Sequence, residues 1–298
     1  MVDPSSSPGS AFTTAEALRA GATREQLRRT ALRSPLHGIR SAGSSRGVLG
    51  MALDAVPLLR PDEAFCHVTA LELWGLPLPE RDDRSHPVVH VGGTVSRQRR
   101  RPQIVAHRYA GFRVLTQQGL PLVDPVEAWV EAAPDLDVDD VVAVGDALAG
   151  TWSSSPVARL VPLTALHAAV AASGGRPGAP VLRRAVRLVR ARVDSPQETR
   201  LRLLVLRGGL PEPEVNERRW GSDGTYLGRP DLSWPTARVA LEYEGDHHRT
   251  DRATFRSDIR RRERFADHGW DLVRATAPDL VPPGAIELLA RLRRRLVR

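Results

Sequence analysis

Arg229-Pro230-Asp231-Leu232-Ser233, then Arg238-Val239-Ala240-Leu241-Glu242-Tyr243-Glu244-Gly245-Asp246-His247-His248, is the stretch that decides how the C-terminal part folds. Alternate side chains of a strand share a face. Val239, Leu241 and Tyr243 therefore point one way, and Ala240, Glu242 and Glu244 the other. Two carboxylates on one face of an apolar strand are costly to bury without a counter-charge. A divalent cation is the usual remedy, because Mg²⁺ takes carboxylate oxygens together with water and substrate phosphate. Asp231 joins the pair if its strand lies beside theirs. The same spacing also suits a solvent-facing edge strand with both glutamates hydrated.

Elements on either side complete an α/β order. Ser195-Pro196-Gln197-Glu198 is a helix start, with Ser195 as N-cap and Glu198 closing a capping box. That helix runs to Gly208-Gly209, and strand-like runs follow near 213–219, 226–233 and 238–244. An Arg-rich helix is expected over about 251–267, a strand over 270–274 and an amphipathic helix over about 285–297.

Asp231, eleven positions before Glu242-Tyr243-Glu244, resembles the motif of the PD-(D/E)xK nuclease superfamily. Within it, Pro230-Asp231, Glu242-Tyr243-Glu244-Gly245 with His248, residues 256–262 and residues 269–274 are similar to the very-short-patch-repair endonucleases and to an allied bacterial domain family. The resemblance covers about 195–280 and implies a restriction-endonuclease-like α/β/α domain. It implies Asp231, Glu242 and Glu198 as ligands of Mg²⁺ (or Mn²⁺), and His248 as the group that polarises water or protonates the leaving group. Glu244 stands where the common motif has lysine. All 43 basic residues are arginine, so no lysine of this chain can take that role. On the helix after the site, Arg260, Arg261, Arg262 and Arg264 suit either phosphate contact or a solvated face, with Asp258 as an organiser of the site.

The front half reads differently. Thr13 with Glu16, and Thr23 with Gln26, are capping boxes opening two short helices separated by Gly21. Ser34-Pro35 ends the second, and residues 36–40 form an expected wing strand, the order of a winged helix-turn-helix. Residues 50–76 read as helical, residues 87–116 as short strands, and residues 124–133, 137–149, 162–172 and 179–193 as helices. Residues 12–40, with 70–77 following, resemble the AbiEi-type antitoxin and regulator family. That resemblance implies a winged helix joined to a mixed α/β region, with Arg24, Gln26, Arg28 and Arg29 facing DNA and a cognate toxin as partner. A small helical subdomain packed on the core suits the same residues. The basic run at Arg97, Arg99, Arg100 and Arg101 suits a phosphate-contacting loop or a solvated one. His37, His67, His90 and His107 show no metal-ligand spacing, and Cys66 reads as a small buried apolar residue.

The expected organisation is a disordered tail (1–10), a winged helix-turn-helix (11–45), a mixed α/β middle domain (46–193) and a nuclease-like domain (194–298). A net charge of +8 favours a nucleic-acid partner, although an arginine-biased composition alone produces it. One cysteine excludes internal disulfides and thiolate clusters, which suits a reducing cytoplasm. The Ser/Pro-rich start has no apolar core for a secretory signal, and no run is long enough to span a bilayer. The expected function is DNA binding with metal-dependent phosphodiester hydrolysis. The alternative is a non-catalytic regulator or antitoxin built on an inactive nuclease fold.

Overall fold

The computed structural model describes residues 11–29, 32–43, 46–79, 87–95, 101–245 and 252–297, without the side chains of 29 and 252–258. Residues 1–10, Arg97, Arg99, Arg100, His247 and His248, and the side chains of Arg29 and Asp258, lie outside that description. The chain divides into two units. The first comprises Met1–Val144, Ser153–Ala158 and Thr164–Val186; the second comprises Gly145–Trp152, Arg159–Leu163 and Arg187–Arg298. No helix among the described residues is long and apolar enough to cross a membrane.

From the N-terminus the elements are β1 (Ala11–Thr13), α1 (Thr14–Arg19), α2 (Arg24–Arg29), β2 (Ile39–Ser41) and α3 (Gly47–Ala55). Next come β3 (Ala64–Phe65), α4 (His67–Leu73), β4 (Val89–Gly93), β5 (Ile104–Arg108), β6 (Val114–Gln117) and β7 (Leu120–Val123). Four helices follow: α5 (Pro125–Ala132), α6 (Val138–Ala149), α7 (Leu163–Ala172) and α8 (Ala179–Val186). Both capping boxes form. The Thr13 hydroxyl accepts from the Glu16 amide at 3.0 Å, and the Gln26 side chain accepts from the Thr23 amide at 2.7 Å. The strand after α2 pairs with β1, antiparallel, with Phe12 opposite Arg40.

Five strands make the main sheet of the first unit, in the order β5-β4-β3-β7-β6. Gln118 and Gly119, both at positive φ (51° and 77°), turn β6 into β7, the two-residue geometry that suits strand twist. Phe65, Val89, Val91 and Leu122 are fully or almost fully buried. Buried Trp74 and Trp129 satisfy their indole N–H groups on the carbonyls of Val123 (2.8 Å) and Val141 (2.9 Å).

Two expectations need correction. Residues 50–76 are not one helix: Pro57 and Pro61 interrupt the run, and buried Ala64–Phe65 becomes an inner strand. The helix expected over 179–193 ends at Val186. In the second unit the Arg190 amide donates to the Asp146 carboxylate at 2.6 Å instead of continuing a helical ladder.

The second unit contains α9 (Pro196–Arg207), β8 (Glu214–Val215), β9 (Arg219–Trp220), β10 (Tyr226–Gly228), β11 (Leu232–Trp234), β12 (Val239–Tyr243), α10 (Arg252–Asp267), β13 (Asp271–Ala275) and α11 (Gly284–Leu296). Its four-stranded sheet runs β13-β12-β11-β8, with β8, β11 and β12 antiparallel and β13 parallel to β12. A parallel neighbour needs a long crossover, and α10 supplies it. The period-two reading of β12 is realised. Val239, Leu241 and Tyr243 pack with Leu201 and Val205 of α9 and Leu288 and Leu292 of α11. Ala240 packs with Leu227 and Phe265 on the other face, and Trp270 and Leu272 cover that cluster.

Helix α9 is pinned by a charge pair. Arg202 and Asp146 are both fully buried and meet at 2.8 Å, and the Thr199 hydroxyl donates to the same carboxylate oxygen at 2.8 Å. Removing one member of such a pair leaves an uncompensated buried charge. Asp146→Ala is expected to cost about 3–5 kcal/mol, read as a lower urea midpoint, while a combined Asp146→Leu and Arg202→Met replacement should cost much less.

Candidate functional site

Asp231 sits just before β11, and Leu232 pairs with Leu241. One step further along that antiparallel register, Asp231 stands across from Glu242. Like charges in that relation repel. The Tyr243 amide donates to Asp231 Oδ2 at 2.7 Å, tying the carboxylate to β12. Burial, followed by the negative charges of Glu198 and then Glu242, pushes the Asp231 carboxyl up to about 7, while the Tyr243 amide and Arg261 pull against the rise.

Glu198 comes from the first turn of α9. The body of that helix covers the apolar face, through Leu201 and Val205, so only its start reaches the charge of Asp231. The Glu198 carboxylate accepts from the Asp194 amide (3.0 Å), the Ser195 hydroxyl (2.9 Å) and the Asn216 side chain (2.6 Å). Ser195 caps the helix as expected, its hydroxyl accepting from the Glu198 amide at 3.2 Å, and only the reciprocal bond is shifted, onto the Asp194 amide. Asn216 links the two acids, because its own amide donates to the Asp231 carbonyl at 2.9 Å. Burial nonetheless raises the Glu198 pKa. With both oxygens already engaged, Glu198 lends charge to the site at less cost than it would lend a ligand atom.

Glu242 meets Arg261 of α10 at 2.5 Å, and Arg261 also donates to the Arg229 carbonyl at 3.0 Å. Gly228 makes room for this. A Cβ there would lie 2.8 Å from Arg261 Nε, and its φ of +150° is one that L side chains rarely adopt. Glu244, in the lysine position, pairs with Arg274 of β13 at 3.2 Å. Arg274 is in register with Glu242. The arrangement therefore gathers Asp231, Glu242 and Glu244 with Arg261 and Arg274, and Glu198 beside them. Arg260 is exposed on α10. Trp270 is packed edge-on against Phe265, ring centres 6.0 Å apart, and belongs to the core. Trp220 and Tyr226 on the β9–β10 hairpin are exposed and 4.9 Å apart, a pair that the sequence reading did not single out.

In the first unit, Arg24, Gln26 and Arg28 are exposed on α2, around buried Leu27. Arg101 donates to the His37 carbonyl at 3.4 Å. Three histidines that show no metal-ligand spacing in sequence nonetheless meet in the fold. His67, His90 and His107 bring one ring nitrogen each within 4.8 Å of the other two.

The chain is 29% identical over 234 residues to uncharacterized protein Rv2248 of Mycobacterium tuberculosis strain ATCC 25618 / H37Rv. It has the same identity to uncharacterized protein MT2308 of strain CDC 1551 / Oshkosh, and each match covers 78% of this chain and 81% of the relative. No family model matches, and no solved structure matches significantly.

A carboxyl that titrates higher folded than unfolded binds more protons when folded, so its contribution to stability falls as pH rises between the two values. For Asp231 that window runs from about 4 to about 7. In metal-free buffer, Asp231→Asn should therefore raise the thermal midpoint at pH 8, and the gap should close toward pH 4. A gap independent of pH would show that Asp231 carries no such strain.

Proposed function

We propose that the second unit is a metal-dependent nuclease of the PD-(D/E)xK type that hydrolyses phosphodiester bonds in DNA. The observation that carries the reading is the cross-strand pair of Asp231 and Glu242 on the α10 face of the sheet. The element order supports it: a helix, an antiparallel meander, a crossover helix and a parallel strand. The donor set fits a hard cation, since both groups offer carboxylate oxygens and their repulsion is relieved by positive charge.

Asp231 and Glu242 would hold Mg²⁺ or Mn²⁺, and Glu198 would strengthen the local negative field. A bound cation would supply Lewis-acid stabilisation of the charge that develops on phosphate and would make water a stronger acid. Asp231 is aligned for its part by the Tyr243 amide. Arg261 and Arg274 present guanidinium groups at the same face, suited to phosphate oxygens. His248, as proton donor or acceptor, and Arg260, as a phosphate contact, complete the proposal. The exposed Trp220–Tyr226 pair gives unstacked bases an aromatic surface. In the first unit, Arg24, Gln26, Arg28 and Arg29 would face DNA from α2 in the manner of a winged helix.

A second reading is favoured by one observation: Arg261 already neutralises Glu242. On that reading the nuclease-like fold is a binding platform, and the chain is a regulator or an antitoxin with a cognate toxin.

Cleavage of single- and double-stranded DNA and of RNA, with Mg²⁺ or Mn²⁺, separates the two. Asp231→Asn should abolish cleavage and the calorimetric signal of metal binding. Glu244→Lys, which restores the common motif, should preserve or raise activity if Glu244 only fills the lysine position. No cleavage, together with no metal binding that Asp231→Asn removes, would leave the regulator. DNA affinity should fall steeply with salt, because arginine–phosphate contacts release counterions. Reversing charge at Arg24 and Arg28 should weaken binding without unfolding the second unit. Unchanged affinity would remove α2 from the interface.

A further inference from the structure

His67, His90 and His107 converge in the first unit although 40 positions separate the outer two. His90 and His107 lie on parallel neighbours β4 and β5. The register sets His90 against Val105 and Gly92 against His107, so the two rings share one face on a diagonal. Their Nδ1 and Nε2 atoms are 2.8 Å apart. His67 arrives from β3 through a left-handed φ of 56°, uncommon for a residue with a side chain, which turns the strand into α4. Its ring stacks 4.6 Å from His90 and 5.0 Å from His107.

Acidic groups surround the trio. Asp135 Oδ2 lies 3.6 Å from His67 Nε2. Glu131 Oε2 accepts from the His67 amide at 3.4 Å, and the same carboxylate bonds the Tyr109 hydroxyl. His67 and His90 are buried, and Tyr109 stacks on His107 at 6.0 Å. Burial holds His107 below the usual imidazole range, and so in the neutral form that donates a lone pair.

We propose that His67, His90 and His107 form a binding site for a borderline transition-metal cation, Zn²⁺ in the first instance. Three imidazole nitrogens and one open position suit this ion, whereas Mg²⁺ prefers oxygen donors. A carboxylate on a ligating histidine fixes ring orientation and raises ligand basicity. Asp135 Oδ2, 3.6 Å from His67 Nε2 and so just beyond hydrogen-bond distance, is the group placed to close onto that ring when its Nδ1 takes the metal. Tetrahedral ligation at about 2.0–2.1 Å spaces nitrogens roughly 3.3 Å apart. That value lies between the 2.8 Å hydrogen bond now joining His90 Nδ1 to His107 Nε2 and the 4.8 Å limit of the trio, so a cation would take the place of the proton shared by those two nitrogens, with small ring rotations. The inference does not rest on the nuclease reading, since these residues belong to the first unit and their donor chemistry is different.

The test uses the full-length, tag-free protein, stripped with a chelator and titrated with Zn²⁺ against a chromophoric competitor. One equivalent should bind tightly, and Co²⁺ in its place should give the intense visible bands of a four-coordinate site. X-ray absorption at the zinc edge of the unmutated protein should show three imidazole shells at about 2.0–2.1 Å, a readout independent of whether variants fold. Asp135→Asn should weaken affinity about 10–100-fold, and His90→Asn or His107→Asn by more than that. Asp231→Asn should leave Zn²⁺ uptake unchanged. No stoichiometric uptake by the unmutated protein, a zinc edge without three imidazoles, or full affinity in folded His90→Asn and His107→Asn proteins would overturn the assignment.

Discussion

The buried pair of Arg202 and Asp146 sets the frame of the second unit. A guanidinium wholly removed from water is tolerated only against a carboxylate, and Asp146 is held in turn by the Thr199 hydroxyl and the Arg190 amide. Burial pushes the Asp146 carboxyl up, against the pull of the Arg202 charge. The pair fixes both the position and the rotation of α9. Thr199 and Arg202 occupy one face, three residues apart, and Glu198 lies one turn before Arg202. Leu201 and Val205 are thereby left to the sheet. A helix free to rotate would trade Glu198 against Leu201. Asn216, which bonds both the Glu198 carboxylate and the Asp231 carbonyl, would then lose its bridging position.

The same sheet carries two kinds of surface. Its α9 and α11 face is apolar and closed. Its α10 face begins with Ala240, Leu227 and Phe265 and ends in charge at Asp231, Glu242 and Glu244. The change occurs within one strand because the pleat sends Leu241 and Glu242 to opposite sides. Arg261 and Arg274 balance Glu242 and Glu244, whereas Asp231 relies on the Tyr243 amide for a close partner and titrates up to about 7. On the proposed nuclease reading, a cation entering beside Asp231 would compete with Arg261 for Glu242, and a phosphate would give Arg261 a new anionic partner, so the two are expected to bind cooperatively.

What local pattern encodes was legible in the residues. The capping threonines, Ser195 with Pro196, and the alternation of 239–244 are decided within a few positions. Helices α9, α10 and α11 and strand β12 accordingly lie close to where spacing set them. The pairing of Asp231 with Glu242 needed only adjacency of two strands. Pairing across long separations was not legible. Ala64 and Phe65 are too few to show a period, and their strand identity comes from β4 and β7 on either side. Beyond the end of α8, the Arg190 amide is taken by Asp146, 44 positions away. The histidines gave no signal for the same reason. His90 and His107 meet only through a two-residue offset between parallel strands, which no sequence spacing announces.

The two clusters answer the problem of buried polarity in different ways. Carboxylates crowded in the second unit repel one another when ionised, so they are offset by arginine, by a hard cation or, at Asp231, by uptake of a proton. Imidazoles in the first unit lose little by burial, because the neutral ring is the form that burial favours and the form that ligates metal. His107, which burial holds in the neutral form, can therefore persist through folding without a counter-ion, while Asp231 and Glu242 strain one another when both are ionised. Metal should consequently act on the two units unequally. On the proposed readings, a divalent cation near Asp231 would relieve a repulsion already present and shift a carboxyl titration downward. Zn²⁺ on the histidines would instead replace their mutual hydrogen bond, and its stabilisation would grow with free metal as simple mass action requires.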